Sequence, residues 1–406
     1  MARFLDVYLG TDLVGLLEQD GDGALWFEYE VAWLANPAAV PISASLPLRE
    51  ERFKRNGCRP YFAGLLPEET SRMLVSQALG VSERNDFSIL ERIGAECAGA
   101  ASLWPKGETP VFGRQSYRGI SETEFAAKLA AVPKHPLMAG DEGIRLSLAG
   151  AQGKIALMIR DGKYFLPLEG SPSTHILKPQ SQHFEGLVEN EYFCMKLAAH
   201  IGLHVATVEI CEAGGQGFLQ IARYDRMETG DGILQRIHQE DFCQALGIPP
   251  EMKYQQEGGP NLKQCFELVR VCSSAPGPDL LKLFDAVVFN YLIGNCDAHR
   301  KNFSFVYGES GCRLAPLYDL VCTRAYPDIS AVMAMKIGGE KDPDRVSSKD
   351  WEKFISDVGM GRTAAFRRLQ YISERTSTVL GSTEDDSTVT ELVARQCGRI
   401  KSLKLK

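Results

Sequence analysis

No Cys-x-x-Cys pair occurs in this chain of 406 residues, although cysteine stands at 58, 97, 194, 211, 243, 265, 272, 296, 312, 322 and 397. Zinc ribbons and thioredoxin-like centres need that spacing, so both are excluded. Thiols scattered singly and in odd number fit reduced, mostly buried side chains rather than a disulfide framework. His200 and His204 are four apart, but Gly202 lies between them and no Glu follows the first, so the zinc-protease pattern is missing as well. Apolar runs long enough for a membrane span are absent. The opening MARFLDVYLGTDLVG is broken by Arg3, Asp6 and Asp12, unlike a secretory signal. Internal repeats and low-complexity tracts are absent too. These absences predict a soluble, cytoplasmic protein without a membrane partner. A net charge of −7 excludes a chain that coats nucleic acid over its whole surface. The tail GRIKSLKLK carries Arg399, Lys401, Lys404 and Lys406, which a solvated helix end explains as well as a nucleic-acid contact does.

What is present is a chain long enough for more than one packed unit. Residues 1–105 read as a small α+β subdomain. RFLDVYLG and ALWFEYEV are the expected strands of a hairpin turning at Gly21-Asp22-Gly23, and LPEETSRMLVSQALG and FSILERIG have helical spacing. WPKGETPVFGRQSYRG, at 104–119, is the expected boundary. From about 140, RLSLAG, KIALMIR and KYFLPL read as antiparallel strands, followed by HILKP as another. A helix is expected near Asn190, and VATVEIC, GFLQIARYD and ILQRIHQ return to strand character. After residue 240 the chain reads as helical. The fold class is therefore α+β and bilobal, with a β-rich lobe over 140–240 and a helical lobe over 241–406.

Residues 280–320 carry the chemistry. Leu280, Phe284, Val287, Val288, Tyr291 and Leu292 recur at helical spacing, and Gly294 ends the helix. Asp297, His299, Lys301 and Asn302 follow at once. FSFVY and CRLAP form a hairpin about Gly-Glu-Ser-Gly, whose pairing returns Tyr318 and Asp319 to Asn302. Two carboxylates and an amide oxygen brought together suit magnesium. Asp-x-x-x-x-Asn is also the spacing of a kinase catalytic loop. The bland alternative is a capped helix end with a solvated turn. Upstream, Lys178 lies on the HILKP strand and Glu191 opens the next helix, the pairing a kinase uses on nucleotide phosphates. Separately each also reads as an ordinary surface Lys and a dipole-stabilised helix Glu. The turn Ala149-Gly150-Ala151-Gln152-Gly153-Lys154 has small residues that let backbone amides approach an anion, but it is neither Gly-x-Gly-x-x-Gly nor a Walker motif.

Taken in order, SLAGAQGKIAL, THILKP, NEYFCMKLA, YDR, IHQEDFCQALG, KYQQEGGP, NYLIGNCDAHRKNFS and LAPLYDL resemble the blocks of the HipA-type kinases of bacterial toxin–antitoxin modules. SASLPL and FAGLLPE resemble that family's N-terminal subdomain. The resemblance covers nearly the whole chain and implies a protein-kinase-like fold and a serine/threonine protein kinase using ATP and Mg2+. It assigns Asp297 as base, Asn302 and Asp319 to the metal, and Lys178 with Glu191 to the ATP phosphates. Ala151, Gln152 and Lys154 fall in the phosphate-binding loop, and Arg223 and Tyr224 on the adenine side. His299 and Lys301 fall in the catalytic loop, Lys301 against the transferring phosphate. Ser147 matches an autophosphorylation site whose modification goes with ejection of the phosphate-binding loop. The implied partners are a helix-turn-helix antitoxin of HipB type, operator DNA through that antitoxin, an aminoacyl-tRNA synthetase (glutamyl-tRNA synthetase in the best-known case) as substrate, and a second copy of the chain within the complex. Three positions depart from the family pattern. Gly153 stands where an acidic residue is frequent, Ala222 where a Glu is often found, and Leu320-Val321 where eukaryotic kinases have Phe-Gly.

Two readings from other classes make different predictions. A small-molecule kinase would phosphorylate a metabolite and leave Ser147 unmodified. A non-enzymatic partner of a DNA-binding antitoxin would keep its cellular effects after Asp297→Gln.

Overall fold

The computed structural model describes residues 2–108, 110, 114–230, 232–255, 259, 261–382 and 387–403. Parts of the 104–119 boundary and of the 253–260 block, and the last three residues of the basic tail, lie outside the described residues. The chain forms two compact units, each gathered from separated stretches. The first is Met1–Gln182, Glu209–Pro250 and Val306–Glu309; the second is His183–Val208, Glu251–Phe305 and Ser310–Lys406. This differs from the contiguous division at 105, 140 and 240. The N-terminal segment shares one core with the strands after 140, from Leu5 and Phe27 through Leu157 and Phe218. The helix Leu187–His200 belongs to the helical unit.

In the first unit a five-stranded sheet has the order β4-β3-β2-β1-β5, from β1 (Arg3–Leu9), β2 (Asp12–Gln19), β3 (Leu25–Tyr29), β4 (Phe53–Lys54) and β5 (Ala101–Pro105). The hairpin at Gly21-Asp22-Gly23 exists, but it joins β3 to β2, and β1 pairs with β2 instead. β2 escapes a search for alternation because Val14, Leu16 and Leu17 are buried in succession, as a central strand covered on both faces requires. The two helices expected here are present at Glu69–Leu79 and Asp86–Ile93.

A six-stranded sheet follows, from β6 (Ser116–Gly119), β7 (Ile155–Arg160), β8 (Lys163–Leu168), β9 (His175–Pro179), β10 (Val208–Ala213) and β11 (Gln216–Ala222), in the order β10-β11-β9-β7-β8-β6. β7 and β8 meet antiparallel across a two-residue turn, Arg160 opposite Lys163. Helix Glu122–Ala131 closes one face: Phe125 stacks on Tyr164 at 3.9 Å between ring centres and meets Phe218 edge-on at 5.5 Å. RLSLAG is not a strand. Leu146 makes one bridge to Glu96 and Gly150 one to Pro67, so the segment is pinned to loops and not to a ladder. β12 (Arg226–Glu228), β13 (Leu234–Arg236) and β14 (His238–Asp241) complete this unit.

The second unit is helical, as expected. Its long helix Pro276–Leu292 is buried continuously from Leu283 to Leu292, beyond the single face that its periodicity suggested. Two carboxylates go in with it, and each has a bidentate partner: Asp279 meets Arg313 at 2.9 and 3.0 Å, and Asp285 meets Arg368 at 2.7 and 2.5 Å. Phe354 of helix Ser348–Asp357 stacks on Phe284 at 5.8 Å, and Trp351 meets Tyr291 edge-on at 5.3 Å. Among the described residues no helix is long and apolar enough to cross a membrane. No disulfide joins the cysteines, and all but Cys211 and Cys272 are buried.

Candidate active site

The long helix stops where its sequence says it should. Gly294 adopts φ +67°, which an L side chain rarely takes, and its N–H reaches the Tyr291 carbonyl at 3.2 Å while the Asn295 N–H reaches the Asn290 carbonyl at 2.9 Å. That double return closes the helix and turns the chain outward at residue 295. Asn295 then acts as a hub. Its Nδ2 donates to Asn290 Oδ1 at 2.8 Å and to the Asp319 carbonyl at 3.4 Å, and its Oδ1 accepts the Asp297 N–H at 3.1 Å. Thr323 Oγ1 adds a second strut, accepting the Cys296 N–H at 2.8 Å and donating to the Gly294 carbonyl at 3.2 Å.

The hairpin of β15 (Ser304–Gly308) and β16 (Gly311–Leu314) returns the chain as anticipated. Tyr318 donates to the Lys301 carbonyl at 2.6 Å and accepts from Ser304 at 2.6 Å. Asn302 Nδ2 lies 3.3 Å from Asp319 Oδ2. Asp319 itself sits at φ +58°, a conformation that costs a non-glycine residue on the order of 1–3 kcal/mol. It persists because its neighbours over-determine it. Asp297, Asn302 and Asp319 thus share one hydrogen-bonded frame, with His299 and Lys301 buried in the same loop.

Glu191 is buried on the first turns of helix Leu187–His200. The residue before it, Asn190, takes the Cys322 N–H on Oδ1 at 2.8 Å and donates from Nδ2 to the Cys322 carbonyl at 3.1 Å. The glutamate helix is thereby clasped to the loop that follows Asp319. Neither Asn190 nor Asn295 was singled out in the sequence. Their partners lie 132 and 24 positions away, and no local signal marks such contacts.

The other expected residues lie in the first unit. Lys178 is buried near the C-terminal end of β9, opposite Leu219. In the 149–154 turn, Lys154 folds back to donate to the Ala149 carbonyl at 2.7 Å. Ser71 donates to the Ala151 carbonyl at 2.6 Å, the Glu68 N–H reaches the Gly150 carbonyl at 3.2 Å, and Gln152 is half-buried. Ser147 is fully buried. Its hydroxyl donates to the Leu65 carbonyl at 2.8 Å and its N–H to the Glu96 carbonyl at 2.8 Å.

The Arg223 guanidinium is sealed in a charge cluster, 2.9 Å from Glu96 and 2.8 Å from Asp225, with Arg226 on the same two carboxylates at 2.7 and 2.9 Å. Burial alone would raise the Asp225 and Glu96 carboxyls, but Arg223 and Arg226 hold both below their ordinary values. The Tyr224 hydroxyl is engaged as well, donating to Gln239.

Among the described residues no group of three or more His, Cys, Asp or Glu side chains is placed to hold a metal ion. Asp319 and Asn302 supply one carboxylate and one amide. That donor set fits magnesium, which keeps waters and takes its remaining oxygens from substrate phosphates.

The sequence pattern of the HipA-like C-terminal domain matches residues 146–380, and that of the HipA N-terminal domain matches residues 5–104. A kinase candidate of Sinorhizobium fredii, Y4mE, is 47% identical over 389 residues, which cover 95% of this chain and 93% of the relative. The serine/threonine-protein kinase toxin HipA of Shewanella oneidensis is 32% identical over 387 residues, covering 91% and 87% of the two chains. A solved structure of the Shewanella oneidensis MR-1 toxin–antitoxin system, with HipA, HipB and operator DNA, superimposes with a TM-score of 0.82 at 29% identity, covering 98% of this chain and 95% of that one.

Proposed function

The chain belongs to the HipA family of kinases, and we propose that it transfers the γ-phosphoryl group of magnesium-bound ATP to a serine or threonine hydroxyl of a protein. One observation carries this reading. Asn302 and Asp319 meet at 3.3 Å, and Asn295 ties both Asp297 and Asp319 to the same frame. Asp297 would accept the substrate hydroxyl proton. Asn302 and Asp319 would hold Mg2+, which when bound neutralises charge on the phosphates. Lys301 would contact the transferring phosphate beside His299, and Lys178 and Glu191 would serve the phosphates of the nucleotide. Backbone groups of 151–154 would line the phosphate-binding loop, and those of 221–224 would read adenine.

The same reading extends to partners. A helix-turn-helix antitoxin of HipB type would restrain the kinase, bring it to operator DNA and hold two copies of it in one complex. The protein substrate would be an aminoacyl-tRNA synthetase in the cytoplasm. Ser147 would be the autophosphorylation site. Because Ser147 is buried, its modification requires the 146–150 segment to leave its seat.

The test is intact-mass analysis of the full chain with Mg·ATP, for wild type and Asp297→Asn. Phosphate added to the wild type alone, and abolished by EDTA, is the expected result. Equal addition in both proteins, or transfer to metabolites only, would refute protein phosphorylation through Asp297.

A further inference from the structure

The Tyr254 hydroxyl donates to Asp297 Oδ1 at 2.7 Å, a contact to which the kinase chemistry above assigns no role. Asp297 is only half-buried, in a loop. A base must meet its proton within a narrow range of distance and angle. The phenol restrains rotation of the carboxylate at Oδ1.

The support behind it starts from Asp297's own loop. Arg300, three residues on, is fully buried, and its guanidinium donates to the Lys253 carbonyl at 2.7 Å and to the Met252 carbonyl at 3.4 Å. The Gly259 N–H reaches the Tyr254 carbonyl at 3.3 Å. A Cβ on Gly259 would come within 2.3 Å of both Arg300 Nη1 and the Met252 carbonyl, so no other residue fits without moving them. Gln255 fixes the opposite side, with its N–H on the Ala334 carbonyl at 3.2 Å and its Oε1 accepting the Lys336 N–H at 2.9 Å. The Tyr254 ring stands edge-on to His299, 5.4 Å between centres. The catalytic loop therefore sends out a buried arginine that shapes a second segment, and that segment returns a hydroxyl to the loop's aspartate.

We propose that Tyr254 is a positioning residue for Asp297, its phenol fixing the carboxylate in the rotation from which it takes the substrate proton. This rests on the kinase reading above. Its test compares wild type and Tyr254→Phe, which keeps the ring against His299 and removes only the hydroxyl. With the full chain and varied Mg·ATP as the probe, the maximal rate of phosphate incorporation should fall about tenfold while KM for ATP stays within about twofold. A merely structural role would move both constants or the melting temperature. An unchanged rate overturns the proposal. So does a faster one, which would mean that the phenol occupies the substrate hydroxyl's place and blocks the base. Urea unfolding of wild type, Tyr254→Phe, Asp297→Asn and the double variant supplies a readout that needs no turnover. The two substitutions should be non-additive by at least about threefold in the folding equilibrium constant, and additivity would likewise overturn the proposal. A wild type that incorporates no phosphate defeats the kinase reading alone, and the unfolding cycle still decides whether Tyr254 and Asp297 are coupled.

Discussion

Replacing Glu240 by Gln should expose a pH dependence of stability that the native protein conceals. Glu240 on β14 is buried; it accepts from Ser43 Oγ at 2.5 Å, from the Ala44 N–H at 2.9 Å and from the Tyr307 hydroxyl. Burial outweighs these donors and pushes its carboxyl up to about 7 from an ordinary 4.5. Two residues earlier, His238 is buried with Nε2 2.9 Å from the Ile42 carbonyl and its ring stacked on Tyr307. Burial pushes this imidazole down to about 4 from an ordinary 6.5. The signs oppose. Glu240 binds its proton more tightly when folded, so its contribution is greatest below pH 4.5 and is lost as the pH rises to 7. His238 binds its proton less tightly when folded, so its contribution is present above pH 6.5 and is lost as the pH falls to 4. Each interval of about 2.5 pH units corresponds to about 3 kcal/mol. Between pH 4.5 and 6.5 the two slopes nearly cancel. Glu240→Gln keeps the shape, removes one slope and leaves the other, so stability should fall by about 3 kcal/mol as the pH drops through that window. Urea unfolding followed by tryptophan fluorescence at half-unit pH steps measures this. Parallel slopes in wild type and variant would refute the reasoning.

Ser147→Asp should expel its own segment. A carboxylate at that buried position, facing the Leu65 carbonyl, costs several kcal/mol, comparable with the few hydrogen bonds that pin residues 146–151, each worth about 1 kcal/mol. Amide exchange should accelerate over 146–154 and stay unchanged in β1–β3; protection of 146–154 equal to wild type would contradict this. Arg223→Met should destabilise the first unit by about 3–5 kcal/mol, because Glu96 and Asp225 stay buried with one cation fewer. A thermal-melting shift no larger than that of an exposed Arg→Met control would show that the cluster is not structural.

Local regularities were legible in the sequence. The 280–292 periodicity, the stop at Gly294 and the hairpin that returns Tyr318 to Lys301 all follow from short-range rules, and with them the meeting of Asn302 and Asp319. The 8-residue strand β2 was missed because burial on both faces erases alternation. RLSLAG was misread for the opposite reason. It does alternate, but the backbone it meets belongs to loops at Leu65 and Glu96, which set its conformation from outside. The ion-pair cluster around Arg223 was not legible, because nothing near it in sequence announces Glu96, 127 residues away. Tyr254 stayed silent for the same reason, 43 residues from Asp297.

The two hydrogen bonds from Asn190 to Cys322 reduce the number of parts this enzyme can adjust independently. A glutamate helix clasped to the loop that follows Asp319 cannot be swung aside while Asp319 stays in place. Thermal displacement of one is passed to the other through a buried amide with almost no slack. Any substitution at position 190 would therefore be felt twice, and selection would meet the helix and the loop as a single heritable unit.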